Sequence, residues 1–587
     1  MHRTIRGWRP LGAVLFLLGL SVAPSGTAAP GLATPQSVQQ DQKLNNGFAV
    51  ASAHPLATQV GMAVLRSGGN AFDAAIAVTA MLAVVEPSGS GLGGGGFYLL
   101  HDADSKRDVM VDARERAPLA AHRDLYLGTD GRVVPGLSVN GPLAAGIPGI
   151  PAALDHLARL YASRPLAELL SPAIRVARDG FGADEHLLRY LGFRKPVMQG
   201  TPAGAVFLRG GELPAAGTLI RQEDLARALE RIARDGGAGF YAGPLARQLV
   251  NGVRAAGGIW TLRDLEEYAV VERAPIITRY RGHTVISAAP PSSGGVALAT
   301  LLNMLADRDP GESGAVERMH LLTELMRRAY RDRAIHLGDP DHVRVPIERL
   351  TSQEHARALA ADFDPDTATP SALLEDAPAH VGGGQNTTHF SIMDARGNRV
   401  AATLSINYPF GSGFMVPGTG ILLNNEMDDF SAAPGVPNGY GLVGSRANAI
   451  APGKRMLSSM SPTFIEHADG HGAILGTPGG SRIITMVLLG ILEYLESGDA
   501  DAMVASPRFH HQYLPDVLQY EEGTLDETRR ATLEAMGHNL KAVPRGFYGN
   551  MQVVTWETGR ETNGGRRLAA ASDPRGGGQS AVQNPQR

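Results

Sequence analysis

The stretch Asn386-Thr387-Thr388-His389-Phe390-Ser391 decides how this chain reads. Gly382 to Gly384 precede it, and a period-2 pattern of apolar residues begins after it. A Thr hydroxyl is a poor nucleophile unless a base sits beside it. Cutting the chain just before the Thr supplies that base. The new α-amino group titrates near ~8 and is easily deprotonated near neutral pH. A flexible glycine run leading into a Thr-headed strand suits such a cut. Taken alone, Asn-Thr-Thr is far more often an ordinary loop-to-strand junction, and it also reads as a glycosylation sequon.

The downstream residues sharpen the reading. Thr387 to Met393 and Val400 to Asn407 both read as strands, with Asp394-Ala395-Arg396-Gly397-Asn398 as the turn between them. A loop of those five residues pairs Met393 with Arg399. The same register sets Ser405 opposite Thr387, where a second hydroxyl can orient the first. A slip of one residue would turn it to the other face.

Several longer motifs follow in order. They are Gly68-Gly69-Asn70-Ala71-Phe72-Asp73-Ala74, Asp112-Ala113-Arg114-Glu115, Gly420 to Phe430, Pro434 to Asn438, Leu457 to Thr463, Gly476 to Arg482 and Ser572-Asp573-Pro574-Arg575. With Asn386 to His389 they make the chain resemble the γ-glutamyltransferases (γ-glutamyl transpeptidases), which are N-terminal nucleophile hydrolases. The resemblance runs from about residue 45 to about residue 575. One departure is Ser405, where the family usually has Thr; the hydroxyl survives and a methyl is lost.

The resemblance implies an α/β fold, a four-layer αββα sandwich of two stacked, mainly antiparallel sheets between helical layers. It implies self-cleavage between Asn386 and Thr387. The products are a large subunit, residues 30–386, and a small one, residues 387–587, that stay together as an intertwined heterodimer. Thr387 is then the nucleophile and Ser405 its support. Arg114 faces the donor's α-carboxylate, where a planar guanidinium fits bidentately, with Ser458 and Ser459 beside it. Without the family, Arg114 reads as a surface salt bridge to Asp112 or Glu115. Glu426 and Asp429 face the α-ammonium, with Asn407 as a further polar contact; their plain alternative is a solvated acidic loop. Gly479 and Gly480 would offer backbone N–H groups as an oxyanion hole at the start of an apolar helix, Ile483 to Leu495, with Ser481 as a possible cap. Pro434 to Ser445, with Tyr440, resembles a lid loop. The implied donors are glutathione and other γ-glutamyl amides, and the acceptors are water, amino acids or dipeptides. No metal or organic cofactor is called for. The competing readings are a sibling cephalosporin or glutaryl acylase, a poly-γ-glutamate hydrolase, or an uncleaved relative that only binds.

Composition sets the bounds. The chain has 587 residues, a net charge of −4 and no Cys. Nothing in that balance suggests nucleic-acid binding, and no disulfide is available. Arg3, Arg6 and Arg9 precede an apolar run from Leu11 to Ala23 and a small-residue exit from Pro24 to Ala29. This reads as a signal peptide cut between residues 28 and 33, or less simply as an uncleaved anchor. Export to a bacterial periplasm, or secretion, is expected. Phe72 to Val85 reads as a helix buried on all sides. Helices and strands are expected to alternate through the first 380 residues. Residues 575–587, rich in Gly, Gln and Ser, read as a disordered tail.

Three motifs carry less than their letters suggest. Gly89-Ser90-Gly91-Leu92-Gly93-Gly94 fits a dinucleotide fingerprint, but a helix precedes it and a strand follows, the reverse of what that motif needs. His510-His511 point to opposite faces of a strand and show no further ligands. Pro291-Ser292-Ser293-Gly294-Gly295 offers hydroxyls without a visible base and reads as a turn beside the core.

Overall fold

The computed structural model describes residues 46–308, 314–374, 387–433, 435–558 and 565–585. The leader-like start, the glycine run with Asn386, Pro434 and the last two residues lie outside them.

Thirteen strands build the two main sheets. They are β1 (Phe48–Ser52), β2 (Gly95–Asp102), β3 (Arg107–Ala113), β4 (Val271–Arg273), β5 (Ile276–Tyr280), β6 (His283–Ser287), β7 (Thr388–Met393), β8 (Arg399–Ser405), β9 (Thr463–His467), β10 (Gly472–Gly476), β11 (Gln552–Thr558), β12 (Arg566–Ser572) and β13 (Gln579–Gln583). The first sheet runs β13-β1-β7-β8-β2-β3-β4, and the second β12-β11-β10-β9-β6-β5. Every ladder in both is antiparallel.

Side-chain alternation assigns the faces. In β7, Phe390 and Ile392 join the cluster under the helices Pro55–Arg66 and Ala71–Val85, while Met393 faces the other sheet. In β8, Val400, Ala402 and Leu404 take the helix side and Ala401 the sheet side. Ala49, Leu99, Ile286, Phe464 and Val554 fill the space between the sheets. A third cluster joins the second sheet to the helices Gly294–Leu305, Ala315–His336 and Ile483–Ser497. Three cores between four layers give the expected αββα sandwich.

Residues before and after Thr387 contribute strands to both sheets, and β7 and β8 lie between β1 and β2. The helix expected at Phe72–Val85 spans Ala71–Val85, and all of it is buried. The glycine motif after it is a close-packed turn into β2. A Cβ on Gly93 would sit 1.9 Å from the Leu422 carbonyl oxygen, so any side chain there collides. Among the described residues no helix is long and apolar enough to cross a membrane.

Two expectations need correcting. Strands and helices do not alternate through the first 380 residues. From β3 to β4 the chain is mainly helical, and its only strands are the two-residue pair Phe181–Gly182 and Leu219–Ile220. Amphipathic helices there cover the first sheet, and their apolar spacing mimics short strands over brief windows. The tail is not disordered over its described length either. Gln579–Gln583 forms β13 and pairs with β1 from Phe48↔Gln583 to Ser52↔Gln579. An edge strand needs backbone partners rather than an apolar face, so its polar composition is misleading.

Candidate active site

The β7–β8 register is the expected one. Met393 pairs with Arg399 and Thr388 with Leu404, which carries Ser405 to Thr387. The Thr387 and Ser405 hydroxyl oxygens lie 3.3 Å apart. Ser405 Oγ also accepts the Asn407 N–H at 2.8 Å. Asn407 holds a left-handed φ of 71°, and its Nδ2 donates to the Asn425 carbonyl at 2.9 Å. That fixes the amide and leaves its oxygen as an acceptor. Ser405→Ala should slow maturation and turnover with little loss of stability, whereas Ser405→Thr should keep both. Rates of fragment appearance and of donor turnover check this, and full activity in Ser405→Ala would sink the supporting role.

Thr387, Ser405, Asn407, Arg114, Glu426, Asp429, Tyr440, Ser458, Ser459 and Gly480 line one cavity. Gly479 borders a second cavity on the other side of Thr387, with Glu86 and Asn550. Every position singled out for this chemistry within the described residues therefore meets at Thr387. Leu442, Met460 and Ile483 add an apolar edge.

Arg114 is 1% exposed, which rules out the surface salt bridge. Its Nη1 donates to Glu426 Oε2 and its Nη2 to Asp429 Oδ2, each at 2.5 Å. Asp112 meets Arg114 only at its backbone N–H, at 2.9 Å, and turns its other oxygen to Arg273 and Arg455, while Glu115 Oε2 stands 3.6 Å from Nη1. Glu426 and Asp428 are buried, so the acidic run is not a solvated loop. Burial pushes the Glu426 carboxyl up despite the opposing pull of Arg114, and it pushes Glu115 up as well. Glu426 Oε1 is buried without a well-formed hydrogen bond. It is an acceptor suited to a cation entering the cavity.

Gly479 and Gly480 have φ of 143° and 57°, values that favour glycine. They lead into a 3-10 turn, Gly480–Arg482, ahead of the helix Ile483–Ser497. Neither N–H is used in a hydrogen bond of the described fold, so both stay available at a helix start. Ser481 does not cap the helix. Arg482 stands at the N-cap position with no side-chain cap, because the 3-10 turn feeds straight into the α-helix. Tyr440 closes over Gly480, where a Cβ would sit 2.3 Å from its ring. The Tyr440 hydroxyl donates to the Asn407 carbonyl at 3.0 Å, and Gly439 N–H holds the loop on Asp428 at 2.9 Å.

The set-aside motifs are absorbed by structure. His510 bonds Thr485 and Gln512, and His511 bonds Asp516. Ser292 and Ser293 bond the carbonyls of Met460 and Ser458. One functional candidate escaped the sequence reading. Arg333 reaches Ser459 from the helix Ala315–His336, where it looks like one of several cations on a basic face.

The family model of gamma-glutamyltranspeptidase matches residues 57–583. The chain belongs to that family. As a member it is an enzyme of γ-glutamyl transfer. It is 39% identical to a glutathione hydrolase proenzyme of Escherichia coli (strain K12), over 96% of this chain and 97% of that one. It is 40% identical to a protein of the same name from Pseudomonas sp. (strain A14), over 90% and 93%. Among solved structures, cephalosporin acylase from Bacillus halodurans superposes with a TM-score of 0.79 at 28% identity, covering 92% of this chain and 96% of that one.

Proposed function

We propose that this family member cuts itself between Asn386 and Thr387 and then transfers the γ-glutamyl group of glutathione to water, amino acids or dipeptides. The observation that carries the reading is the Thr387 hydroxyl at the mouth of a cavity with paired positive and negative side chains. In the precursor, Thr387 Oγ1 attacks the Asn386 carbonyl carbon. The amide nitrogen leaves as the Thr387 amine, and water cleaves the resulting ester. In the cut enzyme that amine takes the proton as Oγ1 attacks the γ-glutamyl carbonyl, with Gly479 and Gly480 N–H groups holding the oxyanion. The amide nitrogen leaves protonated, and water or an amine then takes the acyl group from Oγ1.

The donor's charges exchange partners with the pocket. Its α-ammonium takes over Glu426 and Asp429, freeing Arg114 for its α-carboxylate. Cleavage gives fragments 30–386 and 387–587, whose interleaved strands support a heterodimer. The N-terminal segment supports export to the periplasm. The test is N-terminal sequencing of the small fragment together with glutamate release from glutathione. A mature small fragment that does not start at Thr387, or no release, would overturn the reading.

The raised Glu426 carboxyl adds a pH signature. An ammonium is bound by the ionised form, which is lost as pH falls through the raised folded value. The inhibition constant of L-glutamate, which does not depend on the Thr387 amine acting as base, should therefore rise on acidification from above the ordinary glutamate range. Glu426→Gln should flatten that rise and weaken binding at neutral pH.

A further inference from the structure

The carboxylate side of the pocket holds a second buried guanidinium. Arg333 Nη2 donates to Ser459 Oγ at 3.2 Å, and its Nε donates to Ser293 Oγ at 3.0 Å. Ser293 Oγ passes its own proton to the Ser458 carbonyl at 2.7 Å. Arg333 is 5% exposed and makes no ion pair with a carboxylate among the described residues. Burial lowers its pKa, Asp429 raises it, and Arg114 lowers it further. A guanidinium nonetheless stays charged in proteins.

Two consequences follow from donor and charge arithmetic. Arg333 can only donate, so its bond to Ser459 occupies an Oγ lone pair and leaves the hydroxyl proton to point elsewhere. Met460 N–H does the same to Ser458 Oγ at 3.1 Å. No described residue accepts either hydroxyl proton, and both hydroxyls border the cavity. The pair is preset to donate to an anion. The second consequence concerns charge. Arg114 alone faces Glu426 and Asp429, one cation against two carboxylates. Burial keeps the adjacent Glu115 toward its neutral form. Without Arg333 the pocket would be net negative and would repel an α-carboxylate, strongly so in a poorly solvated site. With Arg333, and with Glu426 in the ionised form that binds an ammonium, it carries two charges of each sign, which matches a zwitterion.

We propose that Arg333 is a positioning residue for the donor's α-carboxylate, turning the Ser459 hydroxyl into the cavity and balancing the pocket's charge. This rests on the γ-glutamyl reading above. The experiment compares γ-glutamyl-p-nitroanilide with 4-aminobutyryl-p-nitroanilide, which lacks only the α-carboxylate. Arg333→Gln should raise KM for the first by roughly 10-fold or more, the loss of one charge-assisted contact, with little change in kcat. The carboxylate-free donor should be used poorly by wild type and no worse by the variant. Arg333→Lys should recover part of the loss, and in a Ser459→Ala background Arg333→Gln should cost less than it does alone. Accumulation of the two fragments on a denaturing gel reports that each variant folds. If Arg333→Gln does not accumulate, Arg333→Lys is read with the same two donors, and a smaller KM rise confined to the γ-glutamyl donor is expected. Equal losses on both donors, or an unchanged KM for the first, would overturn the proposal. Failure of the γ-glutamyl reading itself shows separately, as a wild type that handles both donors alike.

Discussion

Thr387→Ala should remain one chain on a denaturing gel and turn over no γ-glutamyl donor. The variant removes the nucleophile of both reactions. Loss of a covalent nucleophile costs on the order of a million-fold in kcat. Stability should barely change, because Thr387 is a short polar side chain just ahead of β7 and contributes no bulk to the apolar core. Wild type should show two bands, the smaller beginning at Thr387. The assignment fails if Thr387→Ala is still cut at that bond or if the wild type is never cut.

The second large effect lies at the amino-acid end of the donor. Arg114 forks between Glu426 and Asp429, which lie more than 300 residues away in sequence. Each contact to the donor is a charge-assisted hydrogen bond worth roughly 1.5–3 kcal/mol. Losing one should cost about 10- to 150-fold in kcat/KM, since ~1.4 kcal/mol is a tenfold change. Arg114→Lys should recover only part, because a point-like ammonium cannot meet the donor's α-carboxylate bidentately as a guanidinium fork does. Self-cleavage should persist in these variants, as it needs Thr387 and its own peptide bond rather than the donor pocket. The deciding comparison is γ-glutamyl-p-nitroanilide against glutaryl-p-nitroanilide, which lacks only the α-ammonium. Wild type should strongly prefer the first, and Asp429→Asn should narrow the gap. A wild type indifferent to the ammonium would favour the acylase reading, the alternative raised by the cephalosporin acylase likeness.

Much of the catalytic centre was legible because it is local. The turn at residues 394–398 and the alternation on either side set the β7–β8 register, so the Thr387–Ser405 pair follows from chain geometry over 18 residues. The nearly all-apolar run at 72–85 read as a buried helix, and the inverted context of the glycine motif already argued against a nucleotide. Which positions gather at the pocket was legible through motif resemblance rather than through any pattern in the residues themselves. Seen alone, Arg114 beside Asp112 and Glu115 looks like a surface ion pair, because sequence shows near neighbours and hides distant ones.

Only the tertiary structure decided three matters. It buried Arg114 and paired it with Glu426 and Asp429, because the β2–β3 hairpin and the Glu426–Asp429 turn meet at the end of the first sheet. It made the polar tail a strand, because the open edge of β1 offered backbone partners that composition cannot reveal. It aimed Arg333 at Ser459, because helix Ala315–His336 packs its buried side against the second sheet's layer. Local patterning fixes which residues form strands and which hydroxyl heads the hairpin. Which charges face each other across hundreds of residues is set by how the layers stack.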